Sequence, residues 1–502
     1  MTDARQAGNL AKRRRFAPRK SDSMDPRPSV TAAASLLLIL AFSFVLTAAV
    51  AALGDGRDAV LFLACAAAAA FLGIGLRLVA RSDREDASLS ARELPLFATG
   101  TALLLVVFAA VPFALGSSKM PLAAAVFEAS SGLMTNGASA FPSLDTAGTG
   151  LLFFRALLQF LGGGLFLALM ICLLPHGQGQ SDGFWMPDGP NWEASRLYRV
   201  APRVLGVYAA LTLLCAIAYF AGGMSSFDAV AHAFSTLSTG GFSTHAASFN
   251  FFRRTDLQWI AIIFMLLAAL PLGTVAMLLK GELQPLLKHR EVQLFLGVTA
   301  VIAALAWTHL ALAGLESGWV GLRHAIFDVV SRITTTGFEA GEPGRRGDFH
   351  VLLLIVAALI GGCAGSAAGG LRPIRLAVLI QGMRRSFIRF VHPHAAVPFT
   401  HGGRRLREEA VTTVFAFAVI YFAAFVVLSL ALVLAGLGAG SALTAAVMAL
   451  TKAGPAFGPG LMAADYVKLP AAAHWILAGG MIVGRLEVIM AVVLFLPGYW
   501  RR

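Results

Sequence analysis

Long apolar runs alternate along this chain with short segments rich in Ser, Thr and Gly. Ten runs reach the roughly 20 residues that a membrane-crossing helix needs: 31–53, 58–80, 94–115, 150–175, 201–223, 256–280, 294–315, 350–380, 411–437 and 471–497. Between pairs of them lie "ASSGLMTNGASAF", "AHAFSTLSTGGFSTHAASF" and "VVSRITTTGFEAG". One such segment is an ordinary loop. Its recurrence in register between apolar runs predicts ten transmembrane helices with short polar-tipped segments inserted between them.

Phe127-Glu128, Phe227-Asp228 and Phe327-Asp328 recur at intervals of one hundred residues, and each opens a segment that turns at Gly137, Gly241 or Gly337. The second copy is four residues longer, about one helical turn. A fourth, degenerate copy is "LTAAVMALTKAGPAFGPG", with Gly454 at the corresponding place. Self-similarity of this kind marks a repeat architecture. The unit is span, short helix, turn, span. Two crossings per unit return the chain to its starting side, so all four units point the same way around an axis along the membrane normal. Inverted repeats need an odd number of crossings per unit. Each inserted segment is too short to cross as a helix and leave on the far side. Irregular backbone at membrane depth survives only when buried in protein or facing water, and a re-entrant pore loop satisfies both conditions. The expected fold is an all-α polytopic membrane protein, four fused helix–pore loop–helix repeats around a central pore, preceded by two extra transmembrane helices.

Composition agrees. Of 502 residues 57% are apolar and 13% charged, against about 25% charged in soluble domains. The formal net charge is +13, with eight Lys and Arg in the first thirty residues, including "AKRRRF", and eight more from Arg372 to Arg407. The positive-inside rule makes both stretches cytoplasmic, and an even number of spans then leaves both termini inside. The basic balance thus reports topology. Nucleic acid is not an expected partner, because no soluble domain could present a groove, whereas anionic lipid headgroups suit "KRRR". The first apolar run follows a thirty-residue basic tail and exceeds the hydrophobic region of an ordinary signal peptide. Cys65, Cys172, Cys215 and Cys363 lie in apolar runs without metal-ligand spacing and read as core thiols.

A dehydrated monovalent cation needs oxygen ligands, and rings of backbone carbonyls supply them in selectivity filters. Aiming successive carbonyls at one axis calls for residues free to take φ > 0, above all glycine. "TTTG" at 334–337 has that composition and "STGG" at 238–241 nearly so. The short helix before each turn directs its partly negative C-terminus at the cation. Ser225, Ser226 and Asp228 are candidate N-caps of the second such helix. The sequence holds no Gly-rich nucleotide loop with lysine and no nucleophile–base pair, so neither an enzyme nor a cofactor in this chain is expected.

"RALLQFLGGG" (155–164), "HAFSTLSTGGFSTH", "TTTGF", "GGCAGSAAGGLRPIR" (361–375) and "GRLE" (484–487) resemble the TrkH/TrkG/KtrB superfamily of bacterial potassium-uptake subunits. The resemblance runs from about residue 94 to the C-terminus, and the two extra spans favour its TrkH/TrkG side. It implies potassium uptake across the inner membrane, with K+ as the transported ion. It also implies a homodimer with one pore per protomer, and a soluble nucleotide-binding regulatory subunit, TrkA-like, on the cytoplasmic face. The chain then divides into a basic tail (1–30), two extra helices (31–93) and pore repeats at 94–200, 201–290, 291–408 and 409–502. Carried over by motif, the filter comprises Thr135, Asn136 and Gly137, then Thr239, Gly240 and Gly241, then Thr335, Thr336 and Gly337, and finally Ala453 and Gly454. Gly240 could exchange roles with Gly241, although the following Phe aligns Gly241 with Gly337. Five glycines in ten residues break the eighth span, since each weakens a helix by nearly 1 kcal/mol relative to Ala. In the family this stretch gates the pore, which assigns Gly361, Gly362, Gly365, Ser366, Gly369 and Gly370 to gating. Close helix packing through small residues is the alternative.

Arg485 falls near the centre of the last apolar run, where an unpaired Arg costs about 2.5–3.5 kcal/mol. The resemblance has it facing the pore as a gating residue, and pairing with an acid of a neighbouring helix is the alternative. Glu487, two residues on, lies on another side of the helix. Arg155 and Gln159 share a helical face and read as braces of the first loop. Glu128, Asp228 and Asp328 read as caps or buried anchors, Asp145 as a solvated carboxylate, His232 and His245 as packing or hydrogen-bonding residues. Two departures from the family pattern matter. "MTNG" replaces the usual "TTTG", and "LTKAGP" puts Lys452 two residues before Gly454, while Arg332 precedes Gly337 by five. A cation pointing inward would repel a permeant ion 4 Å away by about 4 kcal/mol. Arg332 is expected to turn aside and pair with an acid, and the direction of Lys452 is open. These departures sustain a sodium-permeable or weakly selective channel as one alternative. An ion-coupled cation symporter and a non-conducting scaffold are others.

Overall fold

The structure is a computed structural model that describes residues 26–80, 93–173, 194–341, 343–395, 398–401, 404–405, 408–458 and 461–500. The basic tail with "AKRRRF", Arg407 and the side chain of Cys172 lie outside the described residues. Two helices, α1 (Pro26–Leu53) and α2 (Ala59–Val79), precede four units. The first unit is α3 (Leu94–Leu115), the short α4 (Leu122–Leu133) and α5 (Thr149–Leu173). The second is α6 (Ala194–Ala221), the short α7 (Ser226–Leu237) and a broken span, α8 (Thr255–Ala269) with α9 (Leu272–Leu279). After the single turn α10 (Gln284–Lys288), the third is α11 (Arg290–Leu312), α12 (Gly318–Ile333), α13 (Asp348–Ile360) and α14 (Pro373–Val391). The fourth is α15 (Glu408–Leu434), α16 (Ala439–Thr451) and α17 (Ala471–Arg485), followed by α18 (Val488–Val493) and α19 (Pro497–Trp500). A two-residue ladder, Thr400–His401 with Arg404–Arg405, is the only β-structure among the described residues.

Seven of these helices are long and apolar enough to cross a membrane. Their outward side chains include Phe42, Phe71, Phe220, Leu312, Phe422 and Leu434, all more than 60% exposed. Soluble monomers rarely show a continuous apolar surface, and here it is the face that meets lipid. The chain is an all-helical polytopic membrane protein. By contrast α4 and α7 have only 12 residues each, about 18 Å of helix against a hydrocarbon layer of about 30 Å. Each short helix stops inside the protein.

The units close a ring. α5 packs on the short helix α7, α8 on α12, α13 on α16, and α17 returns to α4. In every case the second span of one unit supports the short helix of the next. α1 and α2 pack against α3, and α1 also against α5, outside this ring.

Three features differ from the sequence-based expectation. The run 256–280 is not one helix but bends by 119° between Ala269 and Leu272. Pro271 lacks an N–H and disfavours helix in the residue before it, and Leu270 is accordingly extended (φ −86°, ψ 157°). The run 471–497 is interrupted too. α17 ends at Arg485 and Glu487 is left-handed (φ 56°), so Arg485 sits at a helix C-terminus rather than mid-span. That turn carries the Glu487 carboxylate to Arg372, at 2.7 Å, and to Arg375. Finally, the second short helix has no extra turn. Counted back from the turn glycine, the residue matching Glu128 and Asp328 is His232. Asp228 instead belongs to the first turn of α7, where the Ser225 hydroxyl caps its N–H.

Glycine permits the closest helix contacts. A methyl group on Gly162 of α5 would lie 1.9 Å from the Leu133 carbonyl oxygen, and one on Gly484 of α17 would lie 2.3 Å from that of Leu450. Each carbonyl stands four residues before its turn glycine. Gly162→Ala therefore forces α5 off α4, an overpacking that costs about 1–3 kcal/mol. The expected result is a lower melting temperature of the detergent-solubilised protein. Gly206→Ala on α6, with open space around it, should leave the melting temperature unchanged.

Candidate functional site

At the end of each short helix the backbone enters the left-handed region twice. Thr135, Thr239, Thr335 and Lys452 have φ of 55°, 52°, 57° and 61°, and Gly137, Gly241, Gly337 and Gly454 have 90°, 76°, 87° and 92°. Gly240 is not left-handed, so Gly241 is the conformational counterpart of Gly337. Positive φ in a β-branched residue is a true outlier, and it persists only where surrounding structure over-determines it. Here three threonines adopt it at equivalent positions. Helix-end hydrogen bonds fix the shape: the N–H groups of Asn136, Gly240 and Thr336 donate to Ser131 O, Ser235 O and Ser331 O at 2.8, 2.8 and 2.9 Å. Ala453 donates to Met448 O at 3.3 Å.

The four turns converge. A methyl group on Gly137 would lie 2.2 Å from Gly240 O, one on Gly241 2.0 Å from Thr336 O, and one on Gly337 2.5 Å from Gly454 Cα. The circle closes where Asn136 Nδ2 donates to Met448 O at 2.9 Å. Any side chain at these glycines would collide with the neighbouring turn.

Buried polar side chains hold the turns from behind. Glu128 accepts from Arg155 Nε at 2.7 Å and from the Ala140 N–H at 2.8 Å. Arg155 also donates to Ser243 O at 3.0 Å and stacks on Phe242, so it ties the first turn to the second. Gln159 clamps the second turn rather than the first: Nε2 donates to Gly240 O at 2.7 Å, and Oε1 accepts from the Phe242 N–H at 3.1 Å. The four-residue spacing puts both residues on one face, but the neighbour that face meets is α7, which the sequence does not tell. His232 bridges Asp228 O and the Ser243 hydroxyl at 2.8 and 3.0 Å. Asp328 is held by Arg346 and by His350. Arg332 pairs with Glu339 at 3.0 Å, and donates to Ala453 O of the fourth turn at 2.6 Å. Asp145 is mostly exposed, 3.6 Å from His245.

A glycine-rich loop, 361–370, separates α13 from α14. Gly361, Gly365 and Gly370 are left-handed (φ 74°, 77° and 82°), and the loop's neck is a backbone pair, Leu371 N–H to Leu359 O and Arg372 N–H to Ile360 O, at 2.8 and 2.9 Å. A methyl group on Gly362 would lie 2.4 Å from Ala368 Cβ, and the Ser366 hydroxyl donates to Cys363 O. The Gly369 N–H donates to the Thr335 hydroxyl at 2.8 Å, which joins this loop to the third turn. On the opposite side the loop docks in the α8–α9 bend, where Ala269 O and Ala268 O accept from Cys363 and Ala367. Glu291, buried at the start of α11, accepts the Ala364 N–H at 2.8 Å. Sequence reasoning missed Glu291, whose signal is a lone acid at the start of an apolar run. Arg485 meets carbonyls rather than an acid: Ala367 O at 3.1 Å and Gly162 O at 3.2 Å, with Phe166 beneath its guanidinium at 3.9 Å. Lys452 also turns toward this loop, its Nζ 3.5 Å from Ala367 O.

The family described as "TrkH: Cation transport protein" matches residues 97–272 and 317–501. The Trk system potassium uptake protein TrkH of Salmonella typhimurium is 35% identical over 442 residues, 86% of this chain and 90% of that protein. The Trk system potassium uptake protein TrkI of Halomonas elongata is 32% identical over 400 residues, 79% of this chain and 81% of its own. The crystal structure of the potassium transporter TrkH from Vibrio parahaemolyticus is similar with a TM-score of 0.86 and 29% identity, covering 95% of this chain and 100% of that one.

Arg155→Met leaves the fully buried Glu128 carboxylate without its cation. Breaking such a pair costs about 3–5 kcal/mol, so a large drop in melting temperature is expected. Glu128→Gln combined with Arg155→Met should recover part of the loss, since the stranded charge is gone.

Proposed function

The chain belongs to the TrkH family of cation transport proteins, and we propose that it admits K+ to the cell through the ring of four left-handed turns. The observation that carries this reading is the convergence of those turns. Residues 135–137, 239–241, 335–337 and 452–454 share one backbone shape and touch their neighbours around one axis. Carbonyls so gathered can replace the hydration shell of a monovalent cation. Thr135, Asn136, Gly137, Thr239, Gly240, Gly241, Thr335, Thr336, Gly337, Ala453 and Gly454 are the proposed filter. Loop 361–370, which meets the third turn where the Gly369 N–H donates to Thr335, and Arg485, which donates to the loop at Ala367 O, are the proposed gate. An inside-negative potential supplies about 2.3 kcal/mol per charge per 100 mV, which drives uptake without chemistry in this chain. The names of its relatives, potassium uptake proteins, support the choice of ion.

On this reading the protein lies in the inner membrane with both termini cytoplasmic, as the basic residues of α14 favour. It works as a homodimer under a cytoplasmic nucleotide-binding subunit. A sodium-permeable or weakly selective channel is the second reading, and Lys452 is what favours it, since it takes the place held by threonine in the other three turns.

Uptake into proteoliposomes under an inside-negative potential tests the proposal. K+ and Rb+ should enter well ahead of Na+. Gly337→Ala, at φ 87° with Gly454 Cα in the way, should cut Rb+ uptake at least about tenfold, given a left-handed penalty of about 1–2 kcal/mol plus the clash. Equal Na+ entry would favour the weakly selective reading, and uptake that follows a co-ion gradient instead of voltage would favour a symporter.

A further inference from the structure

Beneath the fourth turn lies a cavity of about 20 Å³ with an unusual balance of charge. Lys452, Arg372, Arg375 and Arg485 line it, facing one carboxylate, Glu487. Glu487 is committed to Arg372 and Arg375. That leaves Lys452 and Arg485, 1% and 3% exposed, with neutral acceptors alone: both reach Ala367 O, at 3.5 and 3.1 Å, and Arg485 also reaches Gly162 O at 3.2 Å. They also share one ring, Phe166, at 5.2 and 3.9 Å. A carbonyl dipole and an aromatic face do not neutralise two buried cations, and burying charge without a counter-charge is strongly unfavourable. Two donors on the same wall are unmatched as well: Arg485 Nε and the Tyr421 hydroxyl have no hydrogen-bond partner.

We propose that this cavity is an anion site that holds one chloride between Lys452, Arg485 and Tyr421. Every unmatched group there is a donor or a cation, so the missing ligand is an acceptor with negative charge. Water would satisfy the donors and leave the charge. A cavity of about 20 Å³ has room for a single small anion such as a halide. The site depends on Lys452, because its three counterparts are the neutral Thr135, Thr239 and Thr335. Resting on the uptake reading, the bound chloride lowers the positive potential below the filter, so cation flux rises with chloride.

The experiment uses the full chain in detergent, with potassium chloride against potassium gluconate at equal ionic strength and radiolabelled chloride as the probe. The wild-type chain should bind about one chloride, displaced by bromide. Lys452→Met should bind at least about tenfold more weakly, as expected for the loss of a charge-assisted contact, and Lys452→Arg should retain binding. Tyr421→Phe, which removes only a hydroxyl, should weaken binding in a chain that keeps its shape, so a misfolded Lys452→Met does not end the test. In proteoliposomes, Rb+ uptake should be faster in chloride than in gluconate for the wild type and indifferent for Lys452→Met. Absence of chloride binding by the wild type, or equal binding by well-folded Lys452→Met, overturns the site. Chloride binding without any Rb+ uptake overturns the transport reading and leaves the site standing.

Discussion

Backbone N–H and C=O groups at membrane depth have no water to turn to, and the layout of this molecule follows from how they are satisfied. Four irregular turns end inside the bilayer, and each needs partners that its own helix cannot provide. Gln159 supplies both a donor and an acceptor to the second turn. Glu128 takes N–H and hydroxyl donors after the first. Thr335 takes the Gly369 N–H, and Glu291 the Ala364 N–H, of the loop below. Some braces cross between units, as Gln159 does to the second turn and Arg332 to the fourth, which makes the ring a single cooperative object. Loosening one turn strands the polar groups of the next.

The fourth unit shows what happens when a brace is lost from the sequence. Ser131, Ser235 and Ser331 sit six residues before their turn glycines, and Met448 occupies that place in the fourth. The acid or imidazole of Glu128, Asp328 and His232 is matched there by Ala445. The fourth turn is instead held by its neighbours: Arg332 donates to Ala453 O and Pro455 O, and the Tyr466 hydroxyl accepts the Ala456 N–H at 3.0 Å. Arg332 therefore does for the fourth turn what Gln159 does for the second. Its charge is balanced by Glu339, which explains how a cation can stand against the ring.

Much of the architecture is legible in the sequence, and the unread part has physical causes. Long apolar runs give the helices because lipid imposes length and composition directly. Gly137, Gly241, Gly337 and Gly454 are recognisable because only glycine adopts their φ freely. The left-handed threonines two residues earlier are not, since propensity argues against them and only the surrounding braces hold them there. The α8–α9 bend carries a signal in Pro271, but proline kinks of many sizes read alike from sequence. The hundred-residue spacing of Phe227-Asp228 with its two counterparts misleads, because it is the turn glycine that sets the register. Measured from that end, His232 aligns with the acids.

Side-chain direction is the hardest quantity to read, and Lys452 shows why. Its backbone angle repeats that of three threonines, yet a hydroxyl one bond from Cβ stays near the turn while an ammonium on a four-carbon stem reaches beyond it. Gly369 opens the path: a methyl group there would lie 2.6 Å from Lys452 Cε. The stem passes that glycine to the carbonyl of Ala367, where Arg485 already donates. The fourfold ring and the glycine-rich loop are thus linked twice, by Thr335 to Gly369 and by Lys452 to Ala367. A change in the loop must break one neutral contact and move one charge, so loop position and the electrostatics below the ring are a single variable.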